Sequence, residues 1–206
     1  MPHIAVLFEF PTLNGGEHSM LSVLSRLQRN DRFTFTAIAP RAGPLAKRLA
    51  ALAIPHAAFS TRDQDNHKLS PQELQSGLTE IVAELRPDIL HSNSLSMSRL
   101  SGQLDASRLP ACRRTGHLRD IIKLNKTVIA DLNANDALIA VSHATRSFHL
   151  AQGLDEDRCE VIHNGVDFEL VRPRPQTETL QRELHISPQS RFVLSVGQLG
   201  MRKGVD

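Results

Sequence analysis

Two segments of this 206-residue chain combine residue types that suit phosphate binding. Asn14-Gly15-Gly16 directly precedes a helical pattern, and two glycines there let the N–H groups of a helix N-terminus approach an anion closely. Near the other end, Arg202 and Lys203 lie in a glycine-rich loop that follows an apolar run, which predicts a second anion-binding loop. A tight turn and a solvated cation pair are the ordinary alternatives, and local chemistry leaves them open.

Four histidines are predicted to lie at the ends of strands: His91 closes a strand, His117 follows residues 111–116, and His143 and His163 follow apolar runs. Ligands of open parallel sheets bind beyond the carboxyl ends of the strands, so all four are candidates for a binding rim. A metal site is not predicted, because no pair has the i, i+4 spacing of a helical zinc site and no carboxylate set accompanies them. His117 is the strongest candidate, since a glycine, an arginine and an aspartate surround it in residues 115–120; a hydrogen-bonded structural histidine is the equal alternative.

The apolar runs that would position these residues predict a parallel sheet. Most are continuous rather than alternating, which is typical of strands buried on both faces. Helical patterns separate them, and the clearest forms one apolar stripe from Leu74 to Leu85 after the capping pair Ser70-Pro71. Strand and helix therefore alternate, which predicts an α/β fold with a doubly wound, Rossmann-like parallel sheet. Strands are predicted over residues 4–8, 33–39, 89–90, 137–141, 160–162 and 192–196, and further helices over residues 17–29 and after Ser142.

The composition of the chain changes after residue 170. Three prolines and several charges between residues 171 and 191 predict a linker, with one weak helical segment at residues 179–184. Residues 1–170 are thus predicted to form one domain, and residues 192–206 the opening of a second, because one strand and a loop cannot bury a core.

Charge and composition exclude several classes of protein. The formal net charge is only +2, and the chain has no Trp or Tyr, so it lacks the basic surface and most stacking platforms of a nucleic-acid binder. Its two cysteines form no C-x-x-C pattern, and it has no apolar run long enough to span a membrane and no signal-like segment. A cytoplasmic protein is expected. NAD binding is disfavoured because the dinucleotide fingerprint is absent, and ATP hydrolysis is disfavoured because the Walker loop is absent.

Three motifs occur in an order that is specific even though each is weak alone. They are the Gly15-Gly16-Glu17 turn, the segment V-I-H-N-G-V-D at residues 161–167 followed by Pro173, and the closing V-G-Q-L at residues 196–199 with Arg202-Lys203-Gly204. In this order they resemble the retaining glycosyltransferases of family four, whose architecture is GT-B, with two Rossmann-like domains. The middle segment is similar to that family's V-I-P-N-G-V-D, with His163 in the proline position, and the last to its V-G-R-L-x-x-x-K-G-x-D.

The resemblance implies transfer of a sugar from a nucleotide-diphosphate donor to an acceptor with retention of configuration. The N-terminal domain would mainly hold a carbohydrate or lipid-linked acceptor, and the C-terminal domain the nucleotide. By position, Gly15, Gly16, Arg202 and Lys203 would contact the donor phosphates, and His117 would face the transferred sugar. Neither a metal nor a cofactor is implied, because cations would stabilise the diphosphate leaving group.

Two departures from the family pattern limit what the resemblance implies. Gln198 stands where the family usually has arginine, and Arg202 is the candidate to compensate. The family's E-x₇-E motif lies beyond residue 206, so this chain alone is expected to be inactive. A noncatalytic acceptor-binding protein and a sugar-nucleotide epimerase remain the alternatives. Membrane contact through a basic helix at residues 45–53 is a weaker expectation than ordinary packing of that helix on the sheet.

Overall fold

A computed structural model of the chain describes residues 1–169, 171–173 and 178–194. The chain divides into two units, Met1–Val166 and Asp167–Asp206. The first unit contains β1 (His3–Leu7), α1 (Gly15–Gln28), β2 (Thr34–Ala39), α2 (Pro44–Ala51), β3 (His56–Ala58), α3 (Pro71–Leu85), β4 (Ile89–Ser92), α4 (Leu95–Gly102), β5 (Arg113–Leu118), α5 (Lys126–Asn133), β6 (Ala137–Ala140), α6 (His143–Leu150) and β7 (Cys159–Val161). The second unit contains α7 (Thr179–Glu183), which was expected as a weak helical segment.

The strands of the first unit form a seven-stranded, all-parallel sheet in the order β3-β2-β1-β4-β5-β6-β7. The order reverses at β1, whose Val6 lies beside Ala37 of β2 on one side and His91 of β4 on the other. This reversal is the switch point at which open α/β sheets bind their ligands. The predicted doubly wound, Rossmann-like fold is therefore confirmed.

Alternation along β1 shows how the sheet is buried on both faces. Val6 and Phe8 pack with apolar residues of α1 and α2, whereas Ala5 and Leu7 pack with residues of α3 and α4 on the opposite face. A third core lies under α5 between β5, β6 and β7. With both faces covered, the strands need continuous rather than alternating apolar sequence.

Two helices begin at the caps expected from the sequence, and a third packs on the sheet as expected. Ser70 caps α3 by accepting a hydrogen bond from the Glu73 amide, and Pro71 occupies the first turn. Ser142 caps α6 in the same way. Leu45 and Leu49 on α2 are fully buried in the core, so this helix packs on the sheet, as the ordinary alternative for residues 45–53 requires.

Four elements of the structure were not predicted from the sequence, and part of one predicted strand is not formed. β3 has only three residues, β5 reads R-R-T-G-H-L, α4 is rich in serine, and α5 has only two turns, so none of the four gives a strong apolar period. The strand predicted over residues 192–196 is not formed at residues 192–194, which are exposed and have no regular structure, while residues 195–206 lie outside the described residues.

Candidate anion-binding site at the sheet switch point

The candidate site lies at the carboxyl edge of the sheet, where the loops after β1, β4, β5 and β7 come together. Gly16, Asn93, Arg119 and Asn164 each follow one of these strands in the chain. The Asn93 side chain donates a hydrogen bond to the Gly16 carbonyl at 3.2 Å, and Arg119 contacts both Asn93 and Asn164. Four loops that are distant in sequence are thereby held as one rim.

The N-terminus of α1 contributes backbone donors to this rim. The Asn14 amide is occupied, because it donates to the Glu17 carboxylate at 3.0 Å. Gly15 and Gly16 follow as the first two helical residues, and their N–H groups are among those that a helix leaves without an acceptor of its own. A Cβ at Gly15 would meet no heavy atom within 4 Å, and one at Gly16 would come 3.4 Å from Cδ of Arg119. The backbone is thus open to a ligand at Gly15 and covered by the arginine at Gly16.

The hydrogen-bond partners of Arg119 among the described residues are neutral groups. Its guanidinium donates to the Asn93 carbonyl at 3.2 Å, to Oδ1 of Asn93 at 2.9 Å and to Oδ1 of Asn164 at 3.1 Å. Burial lowers the pKa of Arg119, and the nearby charges of Glu17 and Asp120 oppose that effect; an arginine remains charged at neutral pH. Within the described ranges of the chain, no carboxylate lies within 4.0 Å of it. A fixed cation beside helix N-terminal amides favours an anion such as phosphate.

Behind this cation lies a pair of histidines on one face of the sheet. Nε2 of His91 is 3.0 Å from Nδ1 of His117, and Nδ1 of His91 is 2.8 Å from Oγ1 of Thr115. The pairing of β4 with β5 sets His91 beside Thr115, and the two-residue repeat of a strand then brings His117 onto the same face. The rings meet edge to face, with centroids 5.0 Å apart.

Both histidines are held in the neutral form. Burial lowers the pKa of His91 to about 4, and the positive charge of Arg119 adds to the effect. Burial also lowers the pKa of His117 to about 3, with further contributions from His91 and Arg119. In a hydrogen bond between two neutral imidazoles, one nitrogen donates and the other accepts. The relay from Thr115 through His91 therefore decides whether Nε2 of His117 carries a proton.

Glu9 forms the edge of the site beyond β1. Its carboxylate accepts a hydrogen bond from the Ser94 hydroxyl at 2.9 Å, across the switch point. Burial raises the pKa of Glu9, outweighing the hydrogen bonds from serine, and the charges of Glu17 and Asp120 raise it further. A cavity lined in part by Glu9 begins here and continues along α4.

The structure accounts differently for the residues singled out in the sequence. It brings Gly15, Gly16 and His117 to the carboxyl edge of the sheet, although His117 is the fifth residue of β5 rather than a residue after the strand. Arg202 and Lys203 lie outside the described residues. His143 and His163 form a separate edge-to-face pair with centroids 5.7 Å apart.

Three rim residues were not predicted to act: Asn93, Asn164 and Arg119. Asn93 could have been found as the first residue after a buried strand, and Asn164 as part of the V-I-H-N-G-V-D segment. Among the described residues, the possible metal ligands that come together are Asp63, Asp65 and His67, in an exposed loop after β3.

Comparison with known proteins identifies the family. The sequence profile described as Glycosyltransferase Family 4 matches residues 13–170, which is most of the chain and includes the rim. The protein therefore belongs to Glycosyltransferase Family 4, as the three motifs indicated. No curated protein sequence matches the chain.

Solved structures agree with the fold. Anabaena HepE in complex with UDP-glucose matches at 20% identity with a TM-score of 0.66, covering 89% of this chain and 50% of that one. A glycosyltransferase from Rickettsia africae ESF-5 matches at 18% identity and a TM-score of 0.67, covering 91% and 50%. The UDP-GlcNAc 2-epimerase of Neisseria meningitidis bound to UDP-GlcNAc matches at 13% and 0.53, covering 77% and 45%. The fold is of the GT-B glycosyltransferase type, and the chain spans about half the length of these structures. No helix among the described residues is long and apolar enough to cross a membrane.

Proposed function

We propose that this chain is the acceptor-side part of a glycosyltransferase that transfers a sugar from a nucleotide-diphosphate donor to an acceptor with retention. The observation that carries the proposal is the guanidinium of Arg119, which lies over Gly16 at the N-terminus of α1 and, among the described residues, has only neutral hydrogen-bond partners. Family membership supports sugar transfer, and retention is carried over from the motif resemblance. UDP-glucose, which HepE binds, is the first donor to test.

The donor phosphates are proposed to lie against Gly15, Gly16 and Arg119 of this rim. Arg202 and Lys203, in the predicted second anion-binding loop, are proposed to contact the same phosphates. Cleavage of the sugar–phosphate bond accumulates negative charge on the leaving diphosphate. Fixed cations and helix amides stabilise that charge more in the transition state than in the ground state. Such a site requires neither a metal nor a cofactor.

His117 is proposed to face the transferred sugar through Nε2. Nδ1 of His117 is occupied by His91, and among the described residues Nε2 has no hydrogen-bond partner, so Nε2 is the nitrogen that would bond a sugar hydroxyl. The low pKa of His117 keeps the ring neutral, so that it adds no positive charge beside the anomeric carbon. Replacing His117 with alanine in a chain that includes the second domain should lower turnover while the chain still folds. Unchanged turnover would remove the assignment.

The anion site can be tested on the 206-residue chain with inorganic pyrophosphate as the probe. Arg119→Gln should weaken pyrophosphate binding by about 1.5–3 kcal/mol, because it removes a charged hydrogen-bond donor. Arg113→Gln is the matched control, since Arg113 is the first residue of β5, at the opposite edge of the sheet from Arg119, which follows that strand. Equal binding by the wild type and Arg119→Gln in titration calorimetry would refute the anion site.

The catalytic proposal has two further tests. The 206-residue chain should transfer no sugar by itself, because it spans about half the length of the structures that it matches, and sustained turnover above that of Gly16→Trp would contradict this. In a chain that includes the second domain, Lys203→Ala should cost about 2–4 kcal/mol of transition-state stabilisation. Epimerised donor in an assay without acceptor would favour the epimerase alternative, and acceptor binding without transfer would favour the noncatalytic one.

The compartment proposed for the reaction is the cytoplasm. Cys112 and Cys159 are free thiols, and Cys159 is buried. Burial raises the pKa of both thiols, so both stay protonated and weakly reactive. Two unpaired cysteines fit a reducing compartment.

A further inference from the structure

A cavity of about 640 Å³ opens beside the candidate site on the face of the sheet covered by α3 and α4. Glu9 and Ser96 line it at the end near the rim, and Arg99 and Gln103 line it farther along α4. Glu9 of the lining is hydrogen-bonded to Ser94, and the residue before Ser94 is Asn93, the hydrogen-bond partner of Arg119. A molecule in this cavity would therefore lie next to the proposed donor phosphates.

The floor of the cavity is apolar. Nine of the sixteen lining residues have apolar side chains, and Leu95, Met97, Leu100 and Val128 among them are buried in the cores of the domain. A carbohydrate placed here would bury hydroxyl groups that the floor cannot hydrogen-bond, and each unsatisfied group would weaken binding. Phe10 is the one aromatic side chain in the lining, so stacking offers little compensation. The floor instead suits a hydrocarbon.

Two basic side chains of residues 61–69, Arg62 and Lys68, line the cavity. An antiparallel bridge pairs Arg62 with Lys68, and residues opposite each other in such a pair present their side chains on the same face. Arg62 donates to the Asn66 carbonyl, and in the described part of the chain neither Arg62 nor Lys68 forms an ion pair. Arg99, by contrast, is neutralised by Asp131 at 2.8 Å. Arg62 and Lys68 therefore line the cavity beside its apolar floor, whereas Asp63 and Asp65 of the same loop are not among the lining residues.

We propose that this cavity binds an anionic amphiphile, with the hydrocarbon on the leucine-rich floor and the anionic group beside Arg62 and Lys68. The assignment rests on the proposed function, in which this molecule is the acceptor. Glu9 is the one carboxylate among the lining residues, and its hydrogen bond from Ser94 holds it toward the rim. The substrate class is thus a lipid that carries a phosphate or carboxylate, rather than a free sugar.

Three probes separate the two parts of this ligand. Dodecyl phosphate carries both parts, inorganic phosphate only the anion, and dodecyl maltoside only the hydrocarbon with a neutral head. Each probe is titrated into the 206-residue chain, and the two dodecyl compounds are kept below their critical micelle concentrations. Dodecyl phosphate should bind about tenfold or more tightly than either of the others, because only it combines apolar burial with a charge-assisted contact. Equal affinity for dodecyl maltoside and dodecyl phosphate would overturn the anionic assignment, and equal affinity for phosphate and dodecyl phosphate would overturn the apolar one.

Charge reversal locates the site. Lys68→Glu should weaken dodecyl phosphate binding by about tenfold or more, and Lys47→Glu on α2 should leave it unchanged. Both lysines are exposed, so neither change removes core packing. Unchanged affinity in Lys68→Glu would overturn the proposal. Arg119→Gln should keep dodecyl phosphate binding while it loses pyrophosphate binding, so that failure of the donor-phosphate site and failure of this cavity are distinguished.

Discussion

The two neutral histidines behind the rim predict how the stability of the domain depends on pH. The pKa of His91 is lowered to about 4 and that of His117 to about 3, whereas a histidine in an unfolded chain has a pKa of about 6.5. Between those values the unfolded state binds protons that the folded state does not. The free energy of unfolding should therefore fall as the pH decreases below about 6.5, and it should be fully retained above that pH.

The size of the effect follows from the lowered pKa values of the two histidines. At about pH 5 the unfolded histidines are titrated through about 1.5 pH units, whereas the folded ones remain neutral, so each contributes a loss of about 2 kcal/mol relative to about pH 8. The pair accounts for about 4 kcal/mol, a large part of the stability of an ordinary domain. Most of that loss comes from burial, since burial is the main cause of both shifts.

Urea unfolding at several pH values, followed by far-ultraviolet circular dichroism, measures this loss. Intrinsic tryptophan or tyrosine fluorescence is not an option, because the chain contains neither residue. His117→Gln should reduce the difference in the free energy of unfolding between about pH 8 and pH 5 by about 2 kcal/mol, and His91→Gln/His117→Gln by about 4. His67→Gln is the control, since His67 is exposed.

The comparison within each variant makes the test robust to a general loss of stability, because only the difference between two pH values is used. If the double variant keeps the pH dependence of the wild type, the two histidines are not held neutral in the folded protein. The proposed neutral hydrogen bond from His91 to His117 would then be wrong as well.

Two predictions concern packing. Gly116→Ala should destabilise the domain by about 1–3 kcal/mol in thermal unfolding, because the added Cβ would collide with Ser98 on α4. The control Gly77→Ala should stabilise the domain by about 1 kcal/mol, because a Cβ at that position in α3 meets open space. Equal melting temperatures of the two variants would contradict the close packing of α4 on β5. In flotation with anionic vesicles, the fraction of Lys47→Glu/Arg48→Glu that floats should equal that of the wild type, because the apolar residues Leu45 and Leu49 of α2 are buried. A smaller floating fraction in this variant would indicate that α2 contacts the membrane.

The fold could be predicted where burial on both faces left a continuous apolar run. Residues 4–8 were placed within one residue of β1, and the stripe from Leu74 to Leu85 matches α3. β5 escaped prediction because Arg113 and Arg114 begin it. The guanidinium of Arg114 is satisfied by the carbonyls of Ser101, Leu104 and Ala134 at the ends of neighbouring helices. That tertiary arrangement makes a polar strand acceptable in the middle of the sheet, and no local pattern reveals it.

Gly116 shows the same limit from the opposite side. Its flanking residues suggested a freed backbone next to His117, which is a local interpretation. In the structure it is a position where α4 approaches the sheet so closely that Ser98 occupies the space a side chain would need. The glycine therefore serves packing, and the packing in turn holds the strand that carries His117.

The candidate site divides along a similar line. Its location followed from the rule that ligands bind beyond the carboxyl ends of parallel strands, and this rule selected Gly15, Gly16 and His117. The cation did not follow, because an arginine in a loop is usually solvated, and the partners of Arg119 are 26 and 45 residues away in sequence. What makes Arg119 available to an anion is the chemistry of those partners. Two asparagines fix the guanidinium without cancelling its charge, whereas carboxylates at the same places would have turned it into a structural ion pair.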